Sequence, residues 1–235
     1  MAPAIPLNRH AAWPALTALS AALCIAAGLG AIATGWQFIF KPLTTLMVIG
    51  FAWPRGSDAP TQRRFIRIGL VLSLAGDVFL LWPVPGFLPG LIAFLLAHLA
   101  YIAAFCVPVK FAAKPLGFVA YAVLAALILS QLWPGVPGAL RVPVLAYVAG
   151  LATMAAQAAA WWRSRAGTAA PDLHLARAAA LGGLLFMASD SLLAINKFAA
   201  PLPLSALWIL LTYWVAQWCI AGSLALTKPR LAAVG

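Results

Sequence analysis

Two aspartates stand inside otherwise apolar, helix-length runs: Asp77 in Gly69 to Trp82 (GLVLSLAGDVFLLW) and Asp190 in Leu181 to Ile195 (LGGLLFMASDSLLAI). The chain has four acidic residues, so half of them lie in hydrocarbon-grade sequence. An ionised Asp at the centre of a membrane helix costs about 2.5–3.5 kcal/mol on insertion scales. Such residues therefore face a bundle interior or a water-filled cavity, where they pair with one another or pass protons. Other polar side chains recur at helical spacing. Ser73 and Asp77 are i,i+4, as are Tyr213 and Gln217, and Phe87, Phe94, His98, Tyr101 and Phe105 follow intervals of seven, four, three and four. Lys41 stands directly before Pro42, a residue suited to the first turn of a helix, and Thr44 and Thr45 follow.

The elements that must hold these residues are membrane helices. The chain has 235 residues, 65% hydrophobic and 8% charged, against about 25% charged in an ordinary soluble domain. A water-facing surface cannot be built from it. A spanning helix needs about 20 largely apolar residues. Eight stretches qualify as expected spans, at about 13–33, 38–54, 65–83, 87–107, 115–133, 141–162, 176–196 and 203–226. Pro and Gly punctuate their boundaries, as in Trp53-Pro54, Trp82-Pro83-Val84-Pro85-Gly86 and Trp133-Pro134-Gly135, and tryptophans cluster at the ends as an interfacial belt. No linker is long enough to divide domains, so the expectation is an all-α bundle forming one integral-membrane domain over 1–235. The first span has features of a signal peptide in Arg9 and Ala31-Ile32-Ala33, but its apolar core is longer and another span follows at once.

Basic residues give the orientation. Arg9, Arg55, Arg63, Arg64, Arg67, Lys110, Lys114, Arg163, Arg165, Arg177, Lys228 and Arg230 fall on one side, leaving Lys41, Arg141 and Lys197 on the other. The positive-inside rule then predicts both termini in the cytoplasm. With that orientation Lys41, Asp77, Asp190 and Tyr213 all fall in the outer half of the bilayer, with Gln217 one turn below Tyr213 and His98 near the midplane.

The net charge of +11 does not indicate nucleic acid, because the basic residues sit at span ends rather than in a patch interleaved with aromatics. Cys24, Cys106 and Cys219 lie singly in three different spans, which supports neither disulfides nor a zinc site, and no metal or other cofactor is expected. Structural roles compete for each polar residue. Lys41 could snorkel to the interface, the aromatic stripe could be packing, and His98, Tyr213 and Gln217 could be interhelical hydrogen-bonding residues. An Asp77–Lys41 ion pair would still leave Asp190 without a cation, unless Lys197 reaches back one to two turns.

The ordered set of motifs resembles the lysoplasmalogenase (YhhN-like) family of eight-span membrane proteins. It comprises Lys41-Pro-Leu-Thr-Thr45, Gly76-Asp77-Val-Phe-Leu-Leu81, FLPGLIAFLLAHLAY over 87–101, and Pro143-Val-Leu-Ala-Tyr147. Phe186-Met-Ala-Ser-Asp190 with Asn196 to Phe198, and Tyr213-Trp-Val-Ala-Gln217, complete it. The resemblance implies a membrane-embedded lipid hydrolase that cleaves the vinyl ether bond of lysoplasmalogens, lysophospholipids drawn from the membrane, to a fatty aldehyde and glycerophospho-ethanolamine or -choline. That chemistry needs a carboxylic acid to protonate the β-carbon and a second carboxylate to stabilise the oxocarbenium ion and activate water, a division of labour that glycosidases share. The resemblance implies Asp77 and Asp190 as this pair, with neither assigned as the acid. Lys41, His98, Tyr101, Ser189, Asn196, Tyr213 and Gln217 take substrate-binding or supporting roles. The Ala-rich, Arg-rich composition points to a high-GC bacterial genome, and so to a bacterial inner membrane.

A proton-coupled transporter of small molecules or lipids is the rival reading. GLVLSLAGDVFLL and GGLLFMASDSLLA look alike and both run outward, as a parallel repeat would. A purely structural protein leaves the buried acids unexplained.

Overall fold

The computed structural model describes residues 9–170 and 172–226, with side chains from Ala12 onward. The termini and the basic residues Lys228 and Arg230 lie outside the described residues. Among the described residues eight α-helices follow in order: α1 Arg9–Gly28, α2 Gln37–Ala52, α3 Pro60–Phe79, α4 Phe87–Cys106, α5 Pro115–Leu132, α6 Gly138–Arg165, α7 Leu173–Phe198 and α8 Ser205–Gly222. Of these, α4 to α8 are long and apolar enough to cross a membrane. Helix α1 contributes a shorter apolar stretch, Ala12–Gly28. Helix α2 has 16 residues, and α3 carries Arg63, Arg64 and Arg67 in its first half. The molecule is an integral membrane protein with an all-helical fold.

Local sequence explains the boundaries. Pro60 and Pro115 occupy the first turns of α3 and α5, where the missing N–H costs nothing. Helix α6 runs past the expected boundary to Arg165 because Arg163 and Arg165 place positive charge against the negative end of the helix dipole. Pro42 departs from expectation. Helix α2 begins at Gln37, directly after a 3₁₀ turn over Thr34–Trp36, so Pro42 sits in the second turn rather than the first.

Helix α3 packs closely on α4, and α7 on α8 and α6, while α2 bridges α1, α3 and α8. The α3–α4 seam depends on absent side chains. A Cβ on Gly69 would come within 2.2 Å of the Tyr101 ring, and one on Gly76 within 2.5 Å of Phe94. Gly69, Ser73 and Gly76 form one face of α3, so the large rings of α4 drop against its backbone. Helix α5 is the outlier. It packs chiefly on α6, and only Gly117, Ala125 and Leu132 are buried in it, while Leu116, Val119, Val123 and Leu127 are exposed. An exposed aliphatic face of this kind suits hydrocarbon as its solvent.

Candidate active site

Asp77 is 1% exposed and lies near the end of α3, where α2 and α8 converge on it. Lys41 of α2 places its ammonium 3.8 Å from Oδ1. Thr45, one turn further along α2, donates to Oδ2 at 2.6 Å, and the Tyr213 hydroxyl of α8 donates to the same oxygen at 2.8 Å. Each of these hydroxyls is fed in turn. The Trp214 indole N–H donates to Thr45 at 3.2 Å. The Gln217 amide donates to the Tyr213 oxygen at 3.2 Å, and its carbonyl accepts from Tyr101 at 2.7 Å. Ser73 lies 3.4 Å from the Tyr101 hydroxyl. The indole is a donor only, and the amide presents its NH₂ to Tyr213, so both chains run with their donors toward Asp77. The i,i+4 pairs Ser73/Asp77 and Tyr213/Gln217 thus belong to one network that crosses α3, α4 and α8.

Asp190, in the second half of α7, has a plainer environment. Tyr147 of α6 donates to its Oδ2 in a short hydrogen bond. His98 of α4 is fully buried, with Nε2 3.9 Å from the same oxygen, and neither ring nitrogen has a hydrogen-bond partner among the described residues. The imidazole is wedged between Tyr147 and Phe186, at 5.1 and 4.8 Å between ring centroids. Lys197 does not reach back. Its ammonium lies over the Phe87 ring, 4.2 Å from the centroid.

Asp77 and Asp190 line one cavity of about 310 Å³, together with Lys41, Tyr213, Ser189, Asn196 and Lys197. Leu80, Phe87, Phe94, Leu193 and Asp190 also line a second hollow, adjacent to the first and almost wholly apolar. That groove runs between α4, α5, α6 and α7, with Ala125, Leu129, Val144, Leu151 and Met187 among its walls. A chamber lined by two carboxyls therefore adjoins an aliphatic slot, with Asp190 among the side chains that line both. Such an arrangement suits an amphiphile whose polar and apolar parts meet at the reacting bond.

The other residues singled out in the sequence are placed as follows. Ser189 donates to the Ile209 carbonyl at 2.9 Å and ties α7 to α8. Asn196 accepts the Leu202 N–H at 2.8 Å and shapes the α7–α8 connection. Thr45, Trp214 and Tyr147 are site neighbours that residue-type reasoning passed over, although all three fall within the quoted motifs. No group of three metal-ligating side chains occurs among the described residues.

The YhhN family model matches residues 36–224, a range that contains every residue of both carboxyl networks. The chain belongs to the YhhN family. Among its relatives, the human lysoplasmalogenase TMEM86B is 36% identical over 196 residues, covering 81% of this chain and 76% of its own. The bovine lysoplasmalogenase TMEM86A is 36% identical over 163 residues, covering 66% and 63%. A Mycobacterium bovis lysoplasmalogenase is 33% identical over 144 residues, covering 58% and 51%. The match to the bovine family member thus spans just under two thirds of that protein's length. No solved structure matches the chain.

Proposed function

We propose that this protein is a membrane lipid hydrolase that cleaves the vinyl ether bond of lysoplasmalogens, with Asp77 and Asp190 as its acid–base pair. The observation that carries the reading is the shared cavity: two carboxyls from α3 and α7 line one chamber that adjoins an apolar groove. The names of the family relatives support the same chemistry. In this reading the aliphatic chain lies in the groove and the glycerophosphoryl headgroup in the polar chamber, toward Lys41, Lys197 and Asn196. Lys41 holds Asp77, and His98, Tyr101, Tyr213, Gln217 and Ser189 support the two carboxyls or the helices that carry them.

All eight helices cross the bilayer as a single domain, α2 and α3 completing their spans with flanking residues, and both termini face the cytoplasm of a bacterial inner membrane.

The test uses purified protein in detergent with a lysoplasmenyl phospholipid and its saturated alkyl-ether analogue. Aldehyde release from the vinyl ether alone, abolished in folded Asp77→Asn and Asp190→Asn variants, is the expected result. Release from neither substrate by intact protein refutes the reading, and proton-coupled flux in vesicles then becomes the assay to run.

A further inference from the structure

The two carboxyls are not equivalent, and their surroundings divide the work between them. Asp77 is the terminus of two directed donor chains, Trp214 to Thr45 and Ser73–Tyr101 through Gln217 to Tyr213, and has the Lys41 ammonium beside its other oxygen. A carboxyl surrounded by donors rests in its ionised, proton-accepting form, because its oxygens are already the acceptors of those donors. Asp190 has one donor, Tyr147, on Oδ2, and no donor among the described residues takes Oδ1. Its nearest unsatisfied neighbour is His98 Nε2, a nitrogen able to accept, 3.9 Å away. A protonated carboxyl tolerates a single donor, and Asp190 has one, with the His98 nitrogen nearby but beyond hydrogen-bond distance.

Position agrees with hydrogen bonding. Asp190 stands where the apolar groove meets the polar chamber, whereas Asp77 lines the chamber alone. In an alkenyl ether the carbon that takes the proton is the second of the hydrocarbon chain, and the carbon attacked by water is the first, bonded to the ether oxygen. A chain lying in the groove presents the second carbon to the junction and the first to the chamber.

We propose, on the reading that the site hydrolyses a vinyl ether, that Asp190 is the proton donor, Asp77 the partner that is ionised at rest and takes the proton of the attacking water, and Tyr147 the residue that positions Asp190. The Asp190 proton passes to the second carbon, whose new C–H bond takes the π electrons, and positive charge spreads over the first carbon and the ether oxygen. Water bonds to the first carbon and gives a proton to Asp77, forming the hemiacetal. The hemiacetal hydroxyl returns its proton to Asp190 as the C=O forms. The bond to the glyceryl oxygen breaks, and that oxygen takes the proton from Asp77. One water is consumed, an aldehyde and an alcohol leave, and both carboxyls recover their starting states.

Deuterium in recovered substrate separates the roles. Wild-type protein in D₂O should release aldehyde carrying one deuterium at the carbon next to the carbonyl; failure of that release defeats the hydrolase reading itself. Asp77→Asn retains the proton donor but captures the cation poorly, so the cation reverts and deuterium enters the vinyl position of unreacted substrate. Asp190→Asn, lacking the donor, introduces none. Deuterium entering with Asp190→Asn, or with neither variant, overturns the division of roles. Should Asp190→Asn not fold, Tyr147→Phe in the Asp77→Asn background decides, since the ring and its packing remain and only the hydroxyl is lost. The wash-in rate is then expected to fall about ten-fold with substrate affinity within about two-fold, as loss of one hydrogen bond to a charged group implies. An unchanged rate overturns the assignment of Tyr147.

Discussion

Replacing Lys41 by Met tests the electrostatics of the site most directly. The ammonium lies 3.8 Å from Asp77 Oδ1, with the two side chains 11% and 2% exposed, so solvent screens the pair little. At an effective dielectric of about 20 that separation corresponds to about 4 kcal/mol. Removing one partner of a buried pair typically costs about 3–5 kcal/mol, because the remaining charge stays buried. The Thr45 and Tyr213 hydroxyls still solvate the carboxylate, which places the expected loss near the lower end, about 3 kcal/mol. The assay is unfolding of detergent-purified protein for Lys41→Met, Asp77→Asn and the double variant. The double variant carries no uncompensated charge, and its Asn can still accept from both hydroxyls, so it should recover at least about 2 kcal/mol relative to Lys41→Met. A Lys41→Met protein within about 1 kcal/mol of wild type, or a double variant no more stable than that single one, would refute the account of Lys41 as the counter-ion of Asp77.

Three further outcomes follow from particular contacts. Gly69→Ala forces a methyl into the Tyr101 ring and should destabilise the protein by about 1–3 kcal/mol in thermal unfolding, with activity reduced through the displaced Tyr101–Gln217–Tyr213 chain. Leu129→Trp fills the groove from α5 and should raise KM for long-chain substrates about ten-fold or more while sparing short-chain ones, measured as kcat/KM against chain length. Asp172, in the α6–α7 connection outside the spans, is partly buried, which alone would raise its pKa. Donors from Arg165 and Trp161 outweigh that and hold its carboxyl below the usual range. Its contribution is therefore fully present above the unfolded value of about 4 and is lost as pH falls through the lower folded value. The Asp172→Asn protein should be slightly less stable than wild type at neutral pH, and the difference in unfolding midpoint should vanish in acid.

The sequence by itself determined the solvent, the helices and the family. Sixty-five per cent hydrophobic residues leave no choice but lipid, and Pro and Gly punctuation marks the helix ends to within a few residues. The expense of an acid in hydrocarbon singled out Asp77 and Asp190 with no knowledge of their neighbours. Periodicity carried somewhat further: Tyr213 and Gln217 at i,i+4 proved to be consecutive members of one hydrogen-bond chain. What spacing along one helix cannot encode is which other helix it faces, and the distinctions that matter chemically lie across helices. Thr45 and Tyr147 look like ordinary polar residues within their spans until α2 meets α3 and α6 meets α7. Lys197 was a plausible cation for Asp190 by sequence separation, yet the end of α7 turns it onto Phe87 instead. The bundle alone decided that one carboxyl is ringed by donors and the other faces an unpartnered imidazole at the mouth of an apolar groove, because that asymmetry comes from packing between segments as far apart in sequence as Thr45 and Trp214.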